Sequence, residues 1–408
     1  MSKKTPQIRF KGFTDDWEER KLGDAVNISS GVTGDATLQN GKYRLTRIES
    51  ISQGMLNVAR LGFTNEKPDQ KYLLNVGDIL YSNINSLSHI GKVALVDTTG
   101  IYHGINLLRF QMRNGVDSEF LFQRLNTMPM KNWAVSHANP AVSQASINQT
   151  ELSKQPILSP TLTEQQQIGS FFKEIDNTIA LHQRKLDLLK EQKKGFLQKM
   201  FAKNGAKVPE LRFAGFADDW EDRKLKDVTE RVRSNDGRMD LPTLTMSASS
   251  GWLDQKDRFS GDISGKEKKN YTLLKKGELS YNHGNSKLAK YGVVFSLTNY
   301  EEALVPRVYH SFKALENTSA DFIEYMFSTK LPDRELGKLV SSGARMDGLL
   351  NINYDDFMNI HISIPNYEEQ ILMSAFFRKL DETIALHQRK LDLLKEQKKG
   401  FLQKMFVS

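Results

Sequence analysis

The stretch TIALHQRKLDLLKEQKKGFLQKMF occupies Thr178–Phe201, and the same 24 letters recur at Thr383–Phe406, which is 205 positions later. Strong helix formers fill both copies. Mostly apolar residues recur at alternating steps of four and three over residues 168–200 and 373–405, which is a heptad pattern sustained for more than four repeats. Each 33-residue span predicts a helix about 50 Å long.

This heptad pattern favours packing of helix against helix over packing of each helix on its own domain, and each copy is the natural mate of the other. Lys193 and Lys398 fall on the pattern. Together with His182 and His387, they could set the alignment of the two helices rather than the strength of their packing. The two lysines could equally extend toward solvent at a loose end. The predicted seam contains Ile175, Ile179, His182, Leu186, Leu189 and Phe196 in the first copy, and Leu380, Ile384, His387, Leu391, Leu394 and Phe401 in the second.

The faces away from the seam are also identical in the two copies, although packing of the seam does not require it. Recombination between repeats is one explanation. The other is that the same partner surface docks on both copies, so that two partner molecules bind. The docking candidates are Gln183, Arg184, Lys190, Gln388, Arg389 and Lys395.

The two halves of the chain repeat one plan outside these helices. PQIRFKGFTDDWEERKLGD at Pro6–Asp24 matches PELRFAGFADDWEDRKLKD at Pro209–Asp227, and VGDILYSNINS at Val76–Ser86 matches KGELSYNHGNS at Lys276–Ser286. Between these landmarks identity is low, and short apolar runs alternate with helical patterns. The pattern predicts one mixed α/β fold that carries two different surfaces. We expect domains at 1–162 and 209–367, long helices at 163–201 and 368–408, and a linker at 202–208.

The composition is that of an ordinary globular protein, with 39% hydrophobic and 26% charged residues. No apolar run approaches the roughly 20 residues that a membrane span needs. The chain has no cysteine and no apolar leader, which makes the cytoplasm the expected location. A formal charge of +8 permits a polyanionic partner without requiring one.

The order of these motifs resembles the specificity subunit of type I restriction-modification systems, and the resemblance covers essentially the whole chain. It rests on the PxxRFxGFxDDWExRKLxD heading of each half, on the GDILYSN and GELSYN segments, and on the proline, EQ and long helix that end each half. The resemblance implies a pseudo-twofold α+β protein. Two target-recognition domains, each reading one half of a split site in double-stranded DNA, would be joined by two long antiparallel coiled-coil helices.

The resemblance also implies partners and cofactors. Two modification (methyltransferase) subunits would sit on the helices, and restriction subunits would join them. The specificity subunit would have no active site, metal or cofactor of its own. The partner methyltransferase would use S-adenosylmethionine for adenine methylation, and the partner restriction subunit would use ATP and magnesium.

The sequence carries none of the common catalytic motifs, which agrees with a binding role. There is no P-loop, no GxGxxG and no nucleophile elbow, and the eight histidines show no metal-ligand spacing. The loops rich in groups that contact phosphates or base edges are the DNA-binding candidates. They are Lys42, Tyr43, Arg44, Arg47, Asn83, Asn85, Ser86, Asn139, Ser143 and Gln144 in the first half, and Asn282, His283, Asn285, Ser286, Lys287, Arg307 and Arg345 in the second.

The aromatic residues of the heading motif, Trp17 and Trp220 among them, could stack on bases. Because they repeat in two domains that would read different sequences, we expect them in the core or against the helices. Two alternatives to DNA recognition stay open. One is a coiled-coil protein-protein scaffold with two ligand-binding heads, and the other is an enzyme that acts alone.

Overall fold

The computed structural model describes residues 4–52, 54–140, 144–203, 205–259, 265–284, 286–340 and 349–407. The chain divides into unit 1, which is Met1–Arg184 with Gln388–Ser408, and unit 2, which is Lys185–His387. Each long helix is therefore shared, with one part in each unit. The predicted domain boundaries, which treat each helix as a separate segment, stay a prediction.

The head of unit 1 is built from short strands and short helices. The strands are β1 (Glu18–Lys21), β2 (Val26–Ser30), β3 (Tyr43–Leu45), β4 (Ile51–Ser52), β5 (Met55–Leu56), β6 (Gly62–Thr64), β7 (Ile79–Tyr81), β8 (Ile84–Asn85), β9 (Val93–Leu95), β10 (Ile101–Tyr102), β11 (Leu108–Met112), β12 (Asn139–Pro140), β13 (Ala145–Ser146) and β14 (Pro156–Ser159). The helices are α1 (Leu22–Ala25), α2 (Ser118–Leu125), α3 (Met128–Ser136) and α4 (Gln149–Ser153), followed by the long helix α5 (Leu162–Met200).

The head of unit 2 has the same order of elements around its central sheet. Its strands are β15 (Glu221–Lys224), β16 (Thr229–Arg231), β17 (Leu244–Ser247), β18 (Gly251–Asp254), β19 (Thr272–Lys275), β20 (Leu279–Asn282), β21 (Val293–Ser296), β22 (Glu302–Val305), β23 (His310–Ala314) and β24 (His361–Ile364). Its helices are α6 (Leu225–Val228), α7 (Gln255–Phe259), α8 (Ala320–Ser328), α9 (Asp333–Leu339) and α10 (Tyr354–Met358), followed by the long helix α11 (Tyr367–Met405).

Both heads share a central antiparallel arrangement of four strands. The strand order is β2-β11-β7-β9 in unit 1 and β16-β23-β20-β21 in unit 2. In unit 1 the sheet continues through β5 and β4, where β5 pairs with β9 in parallel. The central strand β7 is buried at every residue, and the turn before it uses Gly77 at φ +93°. Gly277 at φ +83° does the same before β20, which is why glycine is repeated there.

The EQ pair at the start of each long helix fixes the helix to its own head. Gln165 Nε2 donates to Pro160 O at 2.9 Å, and its Oε1 accepts from Asp117 N at 3.0 Å. Gln370 repeats both contacts with Pro365 O and Ser319 N, at 2.9 and 3.0 Å. These contacts satisfy backbone groups that a helix end and a cap would otherwise leave unpaired.

The glutamate of the EQ pair forms a buried ion pair with the arginine of the heading motif. Arg9 donates from Nε and Nη2 to the two oxygens of Glu164 at 2.7 Å each, and the Glu164 side chain is fully buried. In unit 2, Arg212 makes the same two bonds to Glu369 at 2.8 Å each. Bidentate geometry of this kind fixes orientation as well as distance.

The heading tryptophans are core residues, as the sequence analysis expects. Trp17 is 1% exposed and packs edge-on against Phe120 and Phe406, with ring centres 5.7 and 6.2 Å away. In unit 2, Trp220 packs in the same way against Phe322 and Phe201, at 5.8 and 6.3 Å. Each head therefore receives the C-terminal end of a long helix into its own core.

Within each unit the two long helices run antiparallel. In unit 1, Phe171 of α5 contacts Phe401 of α11 with ring centres 5.1 Å apart, and Lys398 Nζ lies 2.6 Å from Asp176 Oδ1. The contacted residue of α11 has a lower number when the residue of α5 has a higher number, as antiparallel helices require. The equivalent contacts in unit 2 join Phe196 to Phe376 at 5.1 Å and Lys193 to Asp381 at 2.6 Å.

Lys193 and Lys398 each pair with an aspartate of the other helix, which is the contact expected of residues that align two helices. Asp176 also accepts from Gln123 Nε2 of α2 at 2.9 Å, and Asp381 accepts from Tyr325 Oη of α8 at 2.9 Å. Each aspartate therefore connects a head, its own helix and the second helix at one point. We call the set of repeated contacts at the helix ends, in either unit, the joint.

Candidate functional site

A small sheet in unit 1 brings together two groups of predicted DNA-binding residues. β8 pairs with β13, where Asn85 lies opposite Ala145, and β13 pairs with β12, where Ser146 lies opposite Asn139. The loop at Asn83–Ser86 is therefore beside Asn139 and Gln144, although the two segments are far apart in sequence. Asn139 and Gln144 are exposed, and Asn85 and Ser86 are half-buried.

The asparagine amides of this loop hold its shape. Asn83 Nδ2 donates to Ile147 O at 3.1 Å, and Ile147 N donates back to Asn83 O at 2.9 Å. Asn85 Nδ2 donates to Ser82 Oγ at 3.1 Å, and its Oδ1 accepts from Ser86 N at 2.8 Å. Asn83 therefore positions the loop, while Asn139 and Gln144 offer more exposed polar groups beside it.

The second candidate segment of unit 1, Lys42–Arg47, lies on a different sheet. Its strand β3 pairs with β10 and β6, and Tyr43 packs edge-on against Tyr102 with ring centres 5.9 Å apart. Lys42 and Arg44 are exposed, whereas Arg47 is half-buried and lines a cavity of about 320 Å³. The segment offers cations for phosphate contact along one edge of the head.

In unit 2 the structure separates two neighbouring candidates, Asn282 and His283. Asn282 is half-buried, and its Oδ1 accepts from Gly284 N at 3.0 Å. His283 is only 5% exposed, and its Nδ1 and Nε2 lie 2.7 and 3.2 Å from Leu350 O and Val308 O. A ring with both nitrogens facing backbone carbonyl oxygens is poorly placed to contact a base edge. His283, rather than Asn282, repeats the position and the framework bonding of Asn83.

Arg307 lines a second cavity, of about 310 Å³, together with two arginines that sequence reasoning missed. These are Arg231 and Arg233, at the end of β16. The guanidinium carbon of Arg231 lies 4.0 Å from the centre of the Tyr354 ring, which is cation–π geometry. The signal was present in the sequence, because ERVRSNDGR places three arginines in one short segment.

The floor of this cavity is a neutral histidine. Burial lowers the pKa of His310 to about 4, although its hydrogen-bond contact with Ile352 O by itself raises the pKa. His310 lies face to face with His283, with ring centres 5.0 Å apart. The positive charge of the cavity is therefore supplied at its arginines, and this makes it suited to a phosphate oxygen or a guanine edge.

The remaining candidates divide between exposed residues and positions that the structure does not describe. Ser286 and Lys287 are exposed beside the Asn282 loop. Ser143, Asn285 and Arg345 lie outside the described residues. Every described DNA-binding candidate in the two heads is thus exposed or half-buried, except His283.

The predicted seam residues are all buried or half-buried, and Leu186, Leu189 and Leu391 are the most deeply buried of them. Of the docking candidates, Arg184, Lys190, Arg389 and Lys395 are exposed, and Gln183 and Gln388 are half-buried.

The helix surfaces also expose leucines that sequence reasoning missed. Leu181 and Leu188 are 67% and 52% exposed on α5, and their copies Leu386 and Leu393 are 60% and 49% exposed on α11. The sequence did contain a signal for them, because the two leucines of each helix are seven residues apart and lie outside the seam positions. Exposed leucines between basic residues are typical of a surface that another protein covers.

The described residues hold no group of three or more histidine, aspartate or glutamate side chains that could bind a metal ion. Among the helices in those ranges, none combines the length and the hydropathy that a membrane crossing needs.

The family described as "Type I restriction modification DNA specificity domain" matches the chain twice, at residues 14–191 and 217–396. The chain belongs to this family. Each match contains one head and most of its long helix. The family and the two-domain fold inferred from the repeated motifs are thereby confirmed.

Individual relatives agree with this assignment. The chain is similar to the MjaX type I restriction enzyme specificity subunit of Methanocaldococcus jannaschii, with 37% identity over 196 residues, which is 46% of each chain. It is 21% identical to the MjaVIII specificity subunit of the same organism, over 95% of this chain and 91% of that one. In fold it resembles the S subunit from M. genitalium, with a TM-score of 0.61, 14% identity and 99% coverage of both chains.

Proposed function

We propose that this specificity subunit directs a type I restriction-modification complex to a split DNA site, with one half-site read by each head. The observation that carries the proposal is that the contacts of the joint are the same in both units, whereas the surfaces of the two heads differ. The ion pairs, the EQ contacts and the tryptophan packing are repeated in both units. The polar loops and the arginine-lined cavities differ, as two readers of unlike sequences require.

The helices would supply a common docking surface for two methyltransferase subunits. The same exposed leucines and basic residues occur on α5 and α11, so one partner surface fits both. Restriction subunits would join that assembly. S-adenosylmethionine, ATP and magnesium would be bound by these partners rather than by this chain, and the complex would act on DNA in the cytoplasm.

On this proposal the chain is a binding subunit without catalysis of its own. The buried Arg109 has a structural explanation, because it donates to Asp78 at 2.8 Å and to Lys71 O at 3.0 Å. Adenine methylation would be carried out by the partner on DNA that the heads hold in register.

Exchange of one head tests the proposal. Residues 25–150 are replaced by the equivalent segment of another specificity subunit, the complex is co-expressed with its methyltransferase, and methylated adenines are mapped across a genome. We expect a split motif in which one block changes and the other block and the gap are retained. The matched exchange of residues 228–355 should change the other block.

Two results would contradict the proposal. One is a motif in which both blocks change after a single head exchange, because each head would then not read its own half-site. The other is an assembled complex whose DNA affinity does not fall with salt, because phosphate contacts release counterions. The second result would instead support a protein-binding scaffold.

A further inference from the structure

A cavity of about 610 Å³ lies inside unit 1, away from the arginine-lined cavity of that head. Its walls are the start of β9, the turn from α2 into α3, and the last turns of α11. Six cationic side chains line it: Lys92, Arg124, Lys131, Lys395, Lys398 and Lys399.

The positive charge of this cavity is poorly balanced by the protein. Among the described residues, no aspartate or glutamate lines it. Lys398 pairs with Asp176, which lies on α5 outside the lining. Burial, together with the positive charges of Lys398 and Lys92, lowers the pKa of Lys131. Lys131 is thus close enough to Lys398 and Lys92 to be repelled by their charges.

Arg124 supplies a donor that lacks a partner. The residue is only 4% exposed, its Nη1 donates to Val407 O at 2.5 Å, and its buried Nε has no hydrogen-bond partner among the described residues. Burial lowers the pKa of Arg124 to about 10. A buried guanidinium with an unused N–H is uncommon in native structures, and an anion in the cavity that Arg124 lines would balance its charge.

We propose that this cavity binds a phosphate group. Arginine and lysine side chains that line one cavity from several elements suit an anion with several acceptor oxygens. Lys92 also places the cavity beside the predicted reading loop, because its carbonyl accepts from Ser82 N at 2.8 Å, immediately before Asn83. The phosphate could belong to the DNA backbone or to a free phosphate compound, and only the DNA source rests on the function proposed above.

Unit 2 shows that the joint does not require Lys92 or Arg124. The strand pairing and the Gln123 and Tyr325 contacts align Lys92 with Val293 and Arg124 with Met326. The lysines of α11 have identical copies on α5. The first head adds Lys92, Arg124 and Lys131. The changes Lys92→Val and Arg124→Met therefore reproduce, at two of these three positions, a combination that a homologous head already accommodates.

The test compares the full chain with Lys92→Val, Arg124→Met and the double variant, with Lys226→Met as an exposed-lysine control outside the cavity. In the first arm, pyrophosphate is titrated calorimetrically into the chain without DNA. In the second arm, the assembled complex binds its DNA at several salt concentrations. For a DNA phosphate, each removed cation should reduce the slope of log affinity against log salt by about 1.

Loss of pyrophosphate binding in the cavity variants, with the control unchanged, supports a free phosphate ligand. A reduced salt slope without pyrophosphate binding supports a DNA phosphate. If both arms leave the cavity variants equal to the unmodified chain, the proposal is wrong. Lys92 is exposed, so Lys92→Val still tests the proposal even if Arg124→Met fails to fold. If the unmodified complex does not bind DNA, the proposed function fails, and the pyrophosphate arm still tests the cavity.

Discussion

The bidentate pair between Arg9 and Glu164 should hold the N-terminal segment of unit 1 onto the joint. The change Glu164→Gln keeps the shape of the side chain but removes its charge and replaces one acceptor by an amide N–H group. Arg9 then retains one hydrogen bond, to an uncharged amide oxygen, and loses the other together with the ion pair. Because Glu164 is fully buried and Arg9 is 13% exposed, we expect a cost of about 3 kcal/mol to local stability.

Hydrogen exchange measured by mass spectrometry reads this cost locally. Ile8 N donates to Lys404 O and Trp17 N donates to Lys4 O, both at 2.9 Å, so these amides report attachment of the segment. A cost of about 3 kcal/mol corresponds to roughly a hundredfold faster exchange where local opening governs it. In the same molecule, the amides of Leu211 and Trp220 make the equivalent bonds in unit 2 and serve as the internal control.

The equivalent change in unit 2, Glu369→Gln, should speed exchange at the amides of Leu211 and Trp220 and leave those of Ile8 and Trp17 unchanged. Replacing both Arg9 and Glu164 by methionine should restore part of the protection, because removing a whole buried pair costs less than leaving one charge unpaired. The reasoning is refuted if Glu164→Gln changes exchange in residues 4–17 less than about threefold, or if the double methionine variant opens more readily than Glu164→Gln.

Two further predictions concern the buried histidines and the helix surface. Burial lowers the pKa of His103 and of His310 to about 4, below the ordinary value of about 6.5. The unfolded chain therefore binds more protons between these values, and each histidine should reduce stability by about 3 kcal/mol as pH falls through that window. His103→Gln and His310→Gln should each flatten the fall of Tm between pH 6.5 and 4, whereas the exposed His137→Gln should not, and equal slopes in all three would contradict the pKa assignment. On the helices, the proposed docking surface predicts that Leu181→Glu with Leu386→Glu removes both methyltransferase subunits from the complex, as counted by native mass spectrometry. Leu315→Glu, an exposed leucine in the second head, is the matched control, and full occupancy in the double variant would show that docking occurs elsewhere.

The features that were predictable from sequence are the periodic and the repeated ones. A heptad pattern depends on residues a few positions apart, so the long helices and their buried seam positions follow from it. The runs that become α2, α8, β9 and β21 also carry their own local signal. The heading tryptophans were assigned correctly for a different reason, since a residue repeated in two unlike readers is poorly suited to specificity.

The features that were missed depend on contacts between distant parts of the chain. Nothing local to His283 shows that Leu350 O and Val308 O will enclose its ring. Arg124 appears in sequence as an ordinary helical arginine, and only the arrival of Val407 beside it makes it a buried donor. The pairing of β8 with β13 likewise joins two loops whose proximity no short pattern predicts.

The location of the repeated contacts explains how two heads can diverge on one scaffold. The bidentate arginine, the EQ pair and the aspartate that accepts from a lysine and from a head helix are all at the joint. They constrain the start of the head, one face of α2 or α8, and the ends of the helices. The outer strands and loops make none of these contacts, so they can change without loosening the joint. A head exchanged at its joint boundaries should therefore fold in its new position. A change at Asp176 or Asp381 should disturb recognition, because the head and both helices meet at that residue.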